Sequence, residues 1–300
     1  MFFSGFNRRE RYTIGILSAI AFLLRVPLAF RPERMLTQLP YGDDAYYLFS
    51  IARNIASGHG ITIDGTHLTN GFQPLILLFY VPIFYLCGAE SWLAVRLTFI
   101  VNGLIAALAV WMIAATVRTL ERQPKTIGLT APMVAAAIWT ATFQLLVHTT
   151  NGLETGLLSL VLMLDILFYA KIRKSALAKR PVSTSQWILF GFLLGFTVLA
   201  RIDAAFLVAI LVAHTAWERK FRPAILIGVV AVLASLPWWY YNLHYFGNLM
   251  PISGQAERSW PLSPFDTIAS SVKTLSEIAT LVFYLPGSLG PTIRSIWAIL

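Results

Sequence analysis

Long apolar runs alternate with short polar segments along the whole chain. A helix needs about 20 apolar residues to cross a bilayer, within a range of about 17–25. Most of the runs reach that length, while 186–200 and 204–217 are shorter. The candidate spans are 12–30, 92–117, 127–148, 153–170, 186–200, 204–217 and 223–241, with a weaker one at 275–293. The pattern predicts an all-α polytopic membrane protein with a single transmembrane domain over residues 1–300.

Composition excludes a water-soluble fold. Of the 300 residues, 57% are hydrophobic and 12% are charged, about half the charged share of a typical soluble domain. The net charge of +9 comes from short basic clusters between apolar runs, which is unlike the continuous basic face of a nucleic-acid-binding protein. The single cysteine, Cys87, lies in an apolar stretch and predicts neither a disulfide nor a cysteine metal site.

The basic clusters predict the orientation of the spans, because cytoplasmic loops are enriched in lysine and arginine. Four clusters stand at 8–11, 118–125, 171–180 and 219–222. They share one side only if the apolar segment 73–88 does not cross, which predicts a re-entrant or interfacial helix there, in agreement with its Pro74 and Pro82. We expect a multi-pass protein of the inner (plasma) membrane, with a cytoplasmic N terminus and with 12–30 retained as a signal anchor.

The same parity places eight of the 14 acidic residues on the outer side, in 31–72, 149–154, the tip of the hairpin 186–217 and 242–272. It also makes 186–217 a hairpin of two short helices, whose tip carries Arg201 and Asp203 below the outer surface. An arginine at the centre of a membrane helix costs about 2.5–3.5 kcal/mol. A compensating partner for Arg201 is therefore expected.

The first outer loop contains two adjacent aspartates, Asp43 and Asp44. Apolar residues follow them at helical spacing, which predicts an amphipathic helix over 44–57 that lies at the membrane surface, with Asp43 as its N-cap. Three interpretations are open. The aspartates cap the helix and complement its dipole, or Asp43 is a general base for an acceptor hydroxyl, or the pair binds a divalent cation with oxygens from Asp64 or Glu154.

Six short motifs follow one another between residues 10 and 255. They are 43–47 (DDAYY), 52–60 (ARNIASGHG), 70–75 (NGFQPL), 151–155 (NGLET), 199–204 (LARIDA) and 237–251. In this order and spacing they resemble the GT-C superfamily of membrane glycosyltransferases, and within it the bacterial enzymes related to protein O-mannosyltransferases and mycobacterial arabinofuranosyltransferases. The resemblance implies a GT-C-like helix bundle with amphipathic juxtamembrane helices in the first outer loop.

The resemblance also implies an activity. Such an enzyme transfers a sugar from a polyprenyl-phosphate carrier to a hydroxyl of a cell-envelope glycan, lipid or protein, on the extracytoplasmic face and with inversion at the anomeric carbon. Asp43 corresponds to the proposed base of these families, and Asp44 would support it by orienting the acceptor or the donor. Arg201 is the candidate that stabilises charge on the lipid phosphate. A structural ion pair of Arg201 with Asp203 or Glu154 is the open alternative.

Four more residues on this side are candidates for substrate or phosphate contacts. Arg53 would meet a phosphate or, alternatively, lipid headgroups. Tyr46 and Tyr47 would line a sugar pocket or anchor the membrane interface. Glu154 would orient a group in the site or serve as a first-turn acid of its helix.

Other functional classes stay open at this point. A membrane transporter or lipid flippase is the main alternative, although no internal repeat of the kind seen in many transporters is visible. A non-catalytic GT-C-like subunit is another. No cofactor is implied with certainty, and a divalent cation is left open. The last apolar segment, 275–293, is interrupted by Pro286, Gly287, Gly290 and Pro291, so a truncated chain or a partner subunit is also considered.

Overall fold

The computed structural model describes residues 5–36, 43–88, 91–121 and 128–252, and of Asp43 it describes the backbone alone. The predicted span 275–293 and most of the predicted loop 242–272 lie outside these residues. Within them the protein is helical, and an isolated β-bridge between Thr62 and Leu68 is the one extended pairing.

Eleven α-helices and two 3-10 helices form the described part of the chain. The α-helices are α1 (Arg8–Leu23), α2 (Glu33–Leu36), α3 (Asp43–Ala56), α4 (Pro74–Cys87), α5 (Trp92–Leu120), α6 (Ala131–Ala141), α7 (Phe143–His148), α8 (Thr155–Leu177), α9 (Thr184–Ala200), α10 (Ala205–Trp217) and α11 (Phe221–Phe246), and the 3-10 helices are Val26–Phe30 and Ile202–Ala204. Four helical segments are long and apolar enough to cross a membrane: Arg8–Phe30, α5, α8 and α11. The chain is an all-α membrane protein.

Two predicted span boundaries were wrong. The span 127–148 is broken at Thr142, whose backbone is extended and whose hydroxyl donates to the carbonyl of Ile138 at 2.6 Å. Such a bond to the preceding turn is compatible with a bend in a helix, and other hydroxyls make it inside continuous helices here, so it does not by itself explain the break. The span 153–170 continues to Leu177, because lysine and arginine on a helix can hold their charges in water while their apolar stems pack.

The helix after the two aspartates also differs from its prediction. It begins at Asp43, so this residue stands in the first turn and is not the N-cap. Its apolar face, with Ile51 completely buried, lies in the protein core. Phe49 packs edge-on against Tyr80 of α4, with ring centroids 5.5 Å apart, and contacts Phe84 of the same helix. The apolar face of the helix is therefore buried against α4, and the position of the helix at the membrane surface remains a prediction.

The last described helix is longer than predicted. α11 passes through Pro237 and ends at Phe246, where Gly247 adopts a left-handed conformation (φ 65°). Residues 242–246, predicted as part of the outer loop, are thus helical. The aromatic run 238–241 lies one turn before the helix end.

Polar contacts between helix ends give the direction of each helix. At one end, here named the basic end, Arg118 of α5 forms an ion pair with Glu10 of α1, and Arg173 of α8 forms one with Glu218 after α10. At the other end, named the acidic end, Nη1 of Arg96 in α5 donates to the carbonyl of Ala29 at 2.6 Å. α1, α9 and α11 run toward the acidic end, and α5, α8 and α10 run away from it.

The short helix α4 has both ends at the acidic end. Before it, Thr69 accepts a hydrogen bond from Tyr241 near the end of α11, at 2.9 Å. After it, the hydroxyl of Ser91 accepts from the amide of Leu93 at 3.1 Å and caps the start of α5. Its 14 residues, with Pro82 inside, would extend about 21 Å, less than a bilayer core of about 30 Å. Its assignment as re-entrant or interfacial remains a prediction.

α9 and α11 pack closely through two glycines. A Cβ atom placed on Gly191 would lie 2.7 Å from Cβ of Val230, and one on Gly195 would lie 2.5 Å from Cβ of Ala234. Small residues four positions apart allow two membrane helices to approach at backbone distance. This contact holds the end of α9, and therefore Arg201, against the bundle.

Candidate functional site

Arg201 stands at the junction between α9 and α10, at the acidic end. Its Nε donates to both carboxylate oxygens of Asp203, at 3.1 and 3.0 Å, and its Nη1 lies 3.4 Å from Oε1 of Glu154. The side chain is 46% exposed, and its Nη2 makes no hydrogen bond to any described residue. Both predicted partners are therefore present together, and one nitrogen of the guanidinium is still available.

Glu154 precedes α8 and is buried beside this arginine. Burial raises the pKa of Glu154 above its ordinary value of 4.5; the positive charge of Arg201 opposes this shift, while the negative charges of Asp203 and Asp44 add to it. Because Asp44 acts on Glu154 electrostatically, the first turn of α3 faces the same group of charges. The structure thus brings together three predicted residues, Asp44, Glu154 and Arg201.

Tyr80 positions α3 relative to Glu154. Its ring packs on Phe49 of α3, and its hydroxyl donates to the carbonyl of Gly152 at 3.1 Å and accepts from Nδ2 of Asn102 at 3.2 Å. Gly152 has a positive φ of 82°, which suits a glycine, and lies two residues before Glu154. This role of Tyr80 could not be predicted from the sequence, because nothing in an apolar run distinguishes a tyrosine with two polar partners.

Arg25 is a second residue of this region that was not predicted. It is completely buried, and the hydroxyl of Thr149 accepts from its Nε at 3.1 Å and from its Nη2 at 2.5 Å, while Nη1 donates to the carbonyl of Ala21 at 2.8 Å. The contact ties the end of α1 to the segment 149–154 that carries Glu154. A charge inside the first apolar run was the available signal.

Arg53 and Tyr46 lie at another place on α3. They line a cavity of about 210 Å³ whose other lining residues are Phe49, Ser50, Phe84, Ser91, Trp92 and Val95. The hydroxyl of Tyr46 donates to the carbonyl of Leu36 at 2.7 Å, and burial raises the pKa of Tyr46. Aromatic rings together with a few polar groups are a typical lining for a small organic ligand.

Tyr47, the neighbour of Tyr46, belongs to a different contact. Its hydroxyl lies 2.7 Å from Oγ1 of Thr69, in the loop before α4. The next residue of that loop, Asn70, is buried. Its Oδ1 accepts from the amide of Ile252 at 3.1 Å, and its Nδ2 donates to Oδ1 of Asn242 at 2.9 Å. Tyr47 therefore helps to hold the loop on the end of α11.

The cation interpretation includes Asp43, whose side chain lies outside the described part of the structure. No three His, Cys, Asp or Glu residues in that part of the chain form a group that could hold a metal ion. Asp64, one of the cation ligands considered, is exposed and lies 2.7 Å from Nδ1 of His67, and its hydrogen bond with that histidine lowers the pKa of Asp64. Its interactions are with its own loop.

Comparisons of this chain with protein-family models, with curated proteins and with solved structures give no match. The class that the fold defines is a helical membrane protein with a cluster of one arginine and three acidic residues at one end of its bundle.

Proposed function

We propose that this protein is an inverting glycosyltransferase that moves a sugar from a polyprenyl-phosphate carrier to a hydroxyl of a cell-envelope glycan, lipid or protein. The observation that carries the proposal is the half-exposed guanidinium of Arg201, held by Glu154 and Asp203 close to the first turn of α3. A positive charge for a leaving phosphate and a candidate base thereby occur at the same end of a membrane bundle.

The reaction needs few groups from the protein. Asp43 takes the proton of the acceptor hydroxyl as its oxygen attacks the anomeric carbon from the face opposite the phosphate. A bond from the acceptor oxygen to that carbon forms while the bond from the carbon to the phosphate oxygen breaks. The lipid phosphate leaves with the bonding electron pair, and Arg201 stabilises its negative charge through Nη2.

The remaining residues have positioning roles in this proposal. Glu154 and Asp203 hold Arg201 in one orientation, so that less side-chain entropy is lost when the phosphate binds. Asp44 orients the acceptor or donor beside Asp43. The cavity lined by Arg53 and Tyr46 would bind the part of the substrate that does not react, and Tyr47 keeps the neighbouring loop in place.

Orientation in the membrane is part of the proposal. The basic end would face the cytoplasm, following the excess of lysine and arginine there, and the acidic end would face the outside of the inner membrane. The donor would then reach Arg201 from the outer leaflet. A divalent cation and a partner subunit are conditions to be varied in the assay.

The test is a transfer assay with the full chain reconstituted in lipid. A panel of radiolabelled polyprenyl-phosphate sugars is offered with a cell-envelope extract to the wild type, to Asp43→Asn and to Glu33→Gln as a matched control. Glu33 is an exposed carboxylate in the same outer segment. Transfer by the wild type and the control, and its loss in Asp43→Asn, would support the proposal. Equal transfer by all three proteins would exclude Asp43 as the base.

The same preparations distinguish an active enzyme from a non-catalytic subunit. Retained binding of polyprenyl phosphate without transfer, in each donor, cation and extract condition, would favour a subunit that needs a partner. Absence of both binding and transfer would reject the proposed function.

A transporter is the second candidate, favoured by one observation. Asp165 is completely buried within the candidate span α8, where its Oδ2 accepts from the hydroxyl of Thr197 at 2.5 Å. An ionisable residue inside a membrane span is by default a candidate for a transport pathway. Proton or ion flux in liposomes that disappears in Asp165→Asn, without any sugar transfer, would favour this function.

A further inference from the structure

A second cavity lies at the basic end, between the end of α8 and the junction of α10 with α11. Its volume is about 310 Å³, and it is lined by Arg173, Ala176, Leu177, Glu218 and Lys220. We propose that this cavity binds the phosphate group of an anionic phospholipid. The site is at the opposite end from Arg201, so the proposal does not depend on the glycosyltransferase assignment.

The charges that line the cavity leave an excess of positive charge. Glu218 forms an ion pair with Arg173, and its Oε2 lies 2.9 Å from Nζ of Lys220. One carboxylate is thus shared by two cations. A phosphate oxygen would complete the set of partners for both side chains, because charge-assisted hydrogen bonds to phosphate are strong for arginine and lysine alike.

The nitrogen of Arg173 that pairs with Glu218 also contacts a histidine. This Nη1 atom lies 3.3 Å from Nε2 of His214, and Nδ1 of the same histidine lies 2.5 Å from the hydroxyl of Tyr169. The ring of Tyr169 packs on that of Phe190, with centroids 5.7 Å apart. The guanidinium therefore has a fixed direction before any ligand binds, which reduces the entropy lost on binding.

The surroundings of the cavity favour a lipid as the source of the phosphate. Leu177 ends the candidate span α8 and is 78% exposed, and Trp217 ends α10 and is 86% exposed. Tryptophan at the end of an apolar membrane helix typically lies at the level of the lipid headgroups. Acyl chains would contact these two side chains while the phosphate enters the cavity.

The two helices that end at the cavity share an unusual ending. Each finishes in a Schellman motif, with amide bonds from Arg180 to Ser175 at 2.9 Å and from Lys220 to Thr215 at 3.3 Å. The left-handed position, where glycine is the usual residue, is occupied by Lys179 (φ 54°) in one and by Arg219 (φ 59°) in the other. Lys179 and Arg219 therefore add two cations at the ends of these two helices, at positions where the backbone alone would favour glycine.

The experiment measures lipid binding by the full chain purified in a neutral detergent. The thermal midpoint is followed against the concentration of short-chain phosphatidylglycerol, of short-chain phosphatidylcholine and of glycerol phosphate. We expect phosphatidylglycerol to bind at least tenfold more tightly than the other two compounds. Equal affinity for phosphatidylcholine would overturn the proposal. Equal affinity for glycerol phosphate would show that the cavity binds soluble phosphates, and would overturn the proposal that its ligand is a lipid.

Variants connect the binding to the cavity. Lys220→Gln should weaken phosphatidylglycerol binding roughly five- to tenfold, the size expected for one basic residue near an anionic surface. Lys174→Gln is the matched control, since Lys174 is exposed on the same helix as Arg173 and does not line the cavity. Glu218→Gln should strengthen binding, because it removes the competing carboxylate. An equal loss in Lys174→Gln, or weaker binding in Glu218→Gln, would overturn the proposal.

Discussion

Nη1 of Arg201 lies 3.4 Å from Oε1 of Glu154, although 47 residues separate them in the sequence. The contact joins the end of α9 to the start of α8, and Asp203 binds the same guanidinium through Nε. An ion pair that holds two helices and an arginine that binds phosphate are compatible here, because Nη2 is not used by any described residue. The contacts of Arg201 with Glu154 and Asp203 fix the direction in which Nη2 points.

Replacement of Arg201 tests the phosphate role directly. Arg201→Gln is expected to lower kcat for sugar transfer about 10²- to 10³-fold, the effect typical of removing one donor that stabilises transition-state charge. Arg201→Lys should recover little of this loss, because an ammonium group cannot bond Glu154, Asp203 and a phosphate in the same planar arrangement. Steady-state rates with saturating donor and acceptor measure both. Full activity of Arg201→Gln would show that the arginine is only structural.

Glu154 should make stability depend on pH. Its pKa is raised in the folded protein, so the folded state holds a proton that the unfolded state has released. Stability is then highest at low pH and falls as pH rises from about 4.5 through the folded pKa. Relative to Glu154→Gln, the wild type should therefore lose thermal stability as the pH is raised above 4.5. Melting curves of both proteins across that range test this, and parallel curves would contradict it.

The sequence predicted the long helices better than their breaks. Apolar runs are sufficient to locate α5 and α11, because a membrane span needs many consecutive apolar residues. The break at Thr142 is a local change to extended backbone within an apolar run, which hydropathy does not contain. The extension of α8 to Leu177 was missed for a related reason, since a hydropathy count treats Arg173 as a loop residue.

Contacts in the candidate site were predictable only between residues of opposite charge that were expected at the same depth in the membrane. Arg201 was expected to need an acid, and Asp203 and Glu154 were the two available ones. By contrast, adjacent positions on a helix point about 100° apart, so Tyr46 and Tyr47 were grouped although they have different partners. Arg25 was missed because Thr149, its partner, lies 124 residues away.

Asp165 offers a test of the buried contact between α8 and α9. Its Oδ1 has no partner among the described residues, and an unsatisfied buried polar group costs about 1–3 kcal/mol. Asp165→Asn should therefore keep or raise the thermal midpoint, because a neutral amide is easier to bury than a carboxylate. Thr197→Val should lower stability by about 1–3 kcal/mol, since it removes the remaining donor to Asp165.

A double-mutant cycle separates this pair from its surroundings. In an Asp165→Leu background, Thr197→Val should have little effect, because the hydroxyl no longer has a carboxyl group to satisfy. Unfolding in mixed detergent measures the four free energies of unfolding. An equal cost of Thr197→Val in both backgrounds would show that the hydroxyl acts mainly through the carbonyl of Leu193, which it also reaches at 3.1 Å.

The packing of α9 on α11 predicts opposite effects for two glycine substitutions. In Gly195→Ala the new Cβ would lie 2.5 Å from Cβ of Ala234 and 2.9 Å from the carbonyl oxygen of Ala231, so the helices must separate, at a cost of about 1–3 kcal/mol. Gly228→Ala in α11 is the matched control, because its nearest neighbour, Cγ1 of Val212, would be 3.8 Å away and alanine favours a helix by about 1 kcal/mol. The free energy of unfolding should fall in the first variant and rise or stay level in the second. Since α9 ends at Arg201, sugar transfer should fall with stability in Gly195→Ala and remain at the wild-type level in Gly228→Ala. Equal stability of the two variants would contradict the close contact between α9 and α11.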